Sequence, residues 1–117
     1  MAQSSNDQCN RALRAAAGAG NISKCQDSLD RGALLEAVDM YGQTPLSKAA
    51  LYGHNGTIEF LYCKGAKLDA ADKDGQTPLW KAALFCHKDT VGLLHSLGAN
   101  LDAGDKFRWT PLMKGLW

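Results

Sequence analysis

A single period governs this chain. Thr44-Pro45-Leu46 returns as Thr77-Pro78-Leu79 and again as Thr110-Pro111-Leu112, 33 residues further on each time. The same step connects Asp39, Asp72 and Asp105, and it connects Lys48, Lys81 and Lys114. Gly32-Ala33, Gly65-Ala66 and Gly98-Ala99 keep the register, as do Leu35, Leu68 and Leu101. One step back, Leu13, Ala16 and Ala17 fall opposite Leu46, Ala49 and Ala50, and Gly20 falls opposite Gly53. Self-similarity at such a period marks a fold built by stacking one supersecondary unit.

The unit reads as two short helices and a turn. Thr44 and Thr77 stand at N-cap positions, where a hydroxyl satisfies free backbone amides, and Pro45 and Pro78 follow at the first helical position, which needs no amide hydrogen. Leu46 to Ala50 continue that helix and Gly53 ends it, as glycine does in the left-handed conformation. Ile58, Leu61 and Tyr62, then Val91 and Leu94, place a second helix, with Lys64-Gly65-Ala66 closing it. Asp39-Met40-Tyr41-Gly42 and Asp72-Lys73-Asp74-Gly75 read as tight turns with Gly42 and Gly75 at positive φ. About seven helices result. The expected core contains Leu13, Ala16, Leu46, Ala49, Ile58, Leu61, Leu79, Ala82, Val91 and Leu94.

These residues closely resemble the ankyrin repeat: an aspartate–glycine turn, then T-P-L-H-x-A-A, then G-H, then a second helix ending in G-A. Residues 39–71 and 72–104 match that pattern almost throughout. The resemblance implies an all-α solenoid of antiparallel helix pairs with projecting turns, as one domain over residues 1–117. Its repeats would be an atypical 7–38, then 39–71 and 72–104, then a partial 105–117, with 1–6 as a flexible N-terminus. Three departures stand out. Ser47, Trp80 and Met113 replace the family's histidine after T-P-L. Cys86 stands where Gly53 stands one repeat earlier, and Arg108 stands where Gly42 and Gly75 stand. If the left-handed geometry persists, each of these last two costs about 1–2 kcal/mol.

Composition excludes several classes. The 13 basic and 12 acidic residues leave a net charge of +1, too balanced for a bulk nucleic-acid binder. No apolar run reaches the roughly 20 residues of a membrane span, and the polar start lacks the apolar centre of a secretory signal. Cys9, Cys25, Cys63 and Cys86 form no C-x-x-C pair and read as free thiols. An intracellular setting is expected, cytoplasmic with the nucleus also open.

Candidate chemistry is sparse. His54 and His87 occupy one repeat position, but equivalent residues in a solenoid form ladders about 8–10 Å apart, too far to share a metal. They read as structural histidines at the inter-helix turn, and His95 reads as a partly buried core histidine. No phosphate loop, H-E-x-x-H helix or G-x-S-x-G elbow is present. The repeat aspartates read as turn formers. The expectation is no catalytic residue, no metal and no cofactor.

What remains is a surface. By resemblance, partners meet the turn tips and the concave side of the first helices. That side comprises Met40, Tyr41, Gln43, Lys48, Leu51 and Tyr52, then Lys73, Asp74, Gln76, Lys81, Leu84 and Phe85. The last repeat adds Lys106, Phe107, Trp109 and Lys114. Aromatics beside isolated charges are the composition of an interface. Lys48, Lys81 and Lys114 would form a basic stripe that favours an acidic or amphipathic protein segment, with no role for nucleic acid or membrane. Trp109, Leu112, Met113, Leu116 and Trp117 would leave apolar surface at the end, inviting self-association or fraying. A non-enzymatic protein-binding module is the first reading. A structural fragment of a longer repeat array, or of a protein whose activity lies elsewhere, is the alternative.

Overall fold

A computed structural model describes residues 5–101. Six helices and no strands are found among them: α1 (Ser5–Ala19), α2 (Ile22–Asp30), α3 (Pro45–Leu51), α4 (Asn55–Cys63), α5 (Pro78–Leu84) and α6 (Lys88–Ser96). The expected seventh helix, Arg108 and the apolar cluster from Trp109 to Trp117 lie outside the described residues. α1 already begins at Ser5, inside the stretch expected to be flexible.

Local chemistry sets the helix boundaries as anticipated. The Thr44 and Thr77 hydroxyls accept the amides of Ser47 and Trp80 at 3.1 and 3.3 Å, and proline fills the first turn. At the other end of α3, the Gly53 amide donates to the Ala50 carbonyl and the His54 amide to that of Ala49. The same pair of bonds closes the remaining five helices. This ending requires a left-handed residue. Cys86 supplies it at φ 61, the one non-glycine residue with positive φ among those described.

The first repeat departs from the pattern. It has no Asp–Gly turn before its first helix, so α1 runs for 15 residues where α3 and α5 have seven.

All ten expected core residues are buried, joined by Ala17, Cys25, Ala50 and Ala83. Tyr62, placed by spacing with Ile58 and Leu61, is exposed. α1, α3 and α5 pack side by side far more closely than α2, α4 and α6 do, because alanines line the first helices at their contacts. The first helices therefore form the tighter row of the stack.

Polar clamps tie each repeat to the next. The His54 and His87 rings donate from Nε2 to the Gly18 and Leu51 carbonyls at 3.0 and 2.9 Å. Each therefore carries its proton on Nε2, since a carbonyl only accepts. Glu36 accepts the Lys67 amide, and Asp69 repeats the bond with that of Asn100. The Lys73 amide donates to the Tyr41 carbonyl, joining neighbouring turns.

Candidate interaction surface

The two described aspartates of the repeat, Asp39 and Asp72, each use their two carboxylate oxygens differently. Asp39 Oδ1 accepts the amides of Tyr41 and Gln43, and Asp72 Oδ1 accepts those of Asp74 and Gln76. These bonds hold the turns in shape, as expected of turn-forming carboxylates. Oδ2 faces a lysine on the following helix: Lys48 reaches Asp39 at 2.8 Å, and Lys81 reaches Asp72 at 2.8 Å. Burial raises the Asp39 carboxyl, but the Lys48 ammonium and the Gln43 and Tyr41 amides outweigh it and hold the group below the ordinary carboxylate value.

These pairs correct the expected basic stripe. Lys48 and Lys81 do share one register, but each charge is already matched within its own repeat, and the Lys81 side chain is only 10% exposed. An ammonium so placed is part of the turn's support and presents little charge to a partner. Lys114 lies outside the described residues.

The rest of the expected surface is placed as follows. Met40, Tyr41, Tyr52, Leu84 and Phe85 are exposed, as are Lys73 and Asp74. Gln43, Gln76 and Leu51 are half-buried. Lys106, Phe107 and Trp109 are not among the described residues. Trp80 follows the cap of α5 at the position of Ser47 and is 1% exposed, so it is core and not surface.

His54 and His87 sit at the inter-helix turns, as expected. His95 corrects its reading: it is exposed, because α6 buries the narrow stripe of Thr90, Val91 and Leu94 and turns His95 out beside it. Among the described residues no group of three histidine, cysteine or acidic side chains could hold a metal ion. Their four cysteines are unpaired. Burial pushes the Cys25 thiol above its ordinary value.

The same side carries residues that the repeat comparison passed over. A groove of about 800 Å³ runs between α1, the first turn and α3, and Arg11 and Arg14 line it. Spacing along α1 was the available signal: Arg11, Arg14, Ala15 and Gly18 fall at three- and four-residue steps, on one face of a helix. Thr44 and Ser47, then Thr77 and Trp80, stand at their places in the second and third units, so the repeat itself gave no pointer to them.

Residues 46–91, which span α3, the clamp histidines and the start of α6, match the family model for ankyrin repeats in many copies. This stretch of the chain carries ankyrin repeats. No curated protein matches it. Ankyrin repeats generally mediate protein–protein interaction and are typically non-enzymatic. No helix among the described residues is long and apolar enough to cross a membrane.

Proposed function

We propose that this ankyrin-repeat chain is a non-enzymatic module that holds or blocks a partner protein by occupancy, through its turn tips and the outer side of its first helices. The observation that carries this reading is the distribution of exposed apolar side chains. Five of the nine large ones among the described residues are 43–71% exposed and belong to the turn (Met40, Tyr41) or to the C-terminal ends of the first helices (Tyr52, Leu84, Phe85). The second helices expose only Ile22 and Tyr62, each at 40%. Aromatic and methionine side chains of this kind, set beside Lys73 and Asp74, supply the anchors and polar rim of an interface. An intracellular setting, in cytoplasm or nucleus, fits the unpaired thiols.

Affinity capture from cell lysate tests the reading by comparing two double variants. Tyr52→Ser with Phe85→Ser should release a captured partner, whereas Ile22→Ser with Tyr62→Ser on the second helices should retain it. The reverse pattern would place the interface on the second helices and overturn the proposal.

A further inference from the structure

α1 is unlike the helices stacked on it. It continues straight through the stretch where later repeats carry a turn. Arg11 therefore stands in the register of the capping Thr44 and Thr77, and Arg14 in that of the buried Ser47 and Trp80. With Gly18 they line one wall of the groove between α1 and the first turn. Met40 and Tyr52, both largely exposed, line the other wall. The Tyr52 ring lies over Gly18, close enough that an added Cβ there would touch it at 3.5 Å.

Charge complementarity identifies the occupant. Arg11 makes no ion pair among the described residues, and Arg14 reaches only the Ala37 carbonyl, at 3.3 Å. Lys48 beside them is neutralised by Asp39. Two unmatched guanidiniums thus lie next to an aromatic ring and a thioether. A guanidinium fork fits a carboxylate in two parallel hydrogen bonds, and the neighbouring walls suit a large apolar side chain. A nucleic-acid backbone is the poorer fit: two cations are a short footprint for it, and the Asp39 carboxylate lines the same groove.

We propose that this groove docks a segment of a partner protein presenting a carboxylate next to a large apolar side chain. The carboxylate sits on Arg11 and Arg14, and the apolar group sits between Met40 and Tyr52. The proposal rests on the binding-module reading and narrows it to the N-terminal half of the surface.

The test uses the full chain and an end-blocked octapeptide alternating glutamate and leucine, followed by amide chemical shifts. Saturable shifts are expected in residues 11–19, 40 and 52, with affinity at least about tenfold weaker in Arg11→Glu and no saturation by the matching lysine–leucine peptide. Arg11 is exposed and forms no described bond, so Arg11→Glu should keep the native circular dichroism spectrum. Arg14→Glu serves as the second variant. Absence of saturation, shifts confined elsewhere, equal affinity in Arg11→Glu, or tighter binding of a single-stranded oligonucleotide in the groove would each overturn the proposal. Partner capture that survives Arg11→Glu but fails with Tyr52→Ser and Phe85→Ser would remove this groove and leave the module standing. Capture indifferent to all three changes would remove both.

Discussion

Cys86 holds the left-handed backbone that Gly20 and Gly53 adopt at the same place in the first two repeats. Those two positions are glycine for two reasons. A Cβ at Gly20 or Gly53 would come within 2.7 or 2.8 Å of the Nδ1 atom of His54 or His87, in addition to the backbone cost. Cys86 is exposed and carries the backbone cost alone. Its amide and that of His87 still close α5 onto the Ala83 and Ala82 carbonyls, so the helix ending enforces a conformation the side chain disfavours. Cys86→Gly should raise stability by about 1 kcal/mol in urea denaturation. A loss of stability would show that the thiol makes a compensating contact. The repeat made this position legible, because Gly53 one unit earlier served as its template.

The turn and the first helix behave as one element, since each aspartate serves both. The two copies differ in burial: Asp39 and Lys48 are 17% and 24% exposed at their side chains, Asp72 and Lys81 only 1% and 10%. Removing one partner of a buried pair strands the other charge and costs about 3–5 kcal/mol. A partly exposed pair lets water take the vacancy. Asp72→Ala should therefore cost about 3–5 kcal/mol and Asp39→Ala about 1–2, the latter mostly its bonds to the turn amides. Equal losses would mean that the turn bonds dominate both and that burial of Lys81 is inconsequential. Acid titration tests the Asp39 pair in a second way. Its carboxyl lies lower in the folded chain than in the unfolded one. Its stabilisation is thus complete above the ordinary value of about 4 and is lost as pH falls through the lowered folded value. Asp39→Asn should flatten that part of the stability profile.

In a stack of this kind each repeat touches only its neighbours, so the middle unit bears on both sides. Leu46 of α3 and Leu79 of α5 are each 1% exposed, and truncation of either to alanine should cost about 2–5 kcal/mol in a thermal or urea melt. A loss under about half a kcal/mol would mean that the assigned side is not core. The sequence by itself determined the helices, their caps and this core, because hydroxyl caps, left-handed endings and apolar spacing act over a few residues and here recur in register. The tertiary structure decided what the surface offers. Lys48 and Lys81 looked like a free stripe until folding set each against the aspartate nine residues before it. His95 passed for core because helical spacing does not say how narrow the buried stripe of α6 is. Arg11 and Arg14 became part of a groove only when α1, lacking a turn of its own, lay against Met40 and Tyr52. Each of these depends on which faces meet across the stack, and that is set by packing between units and not by the repeat within one.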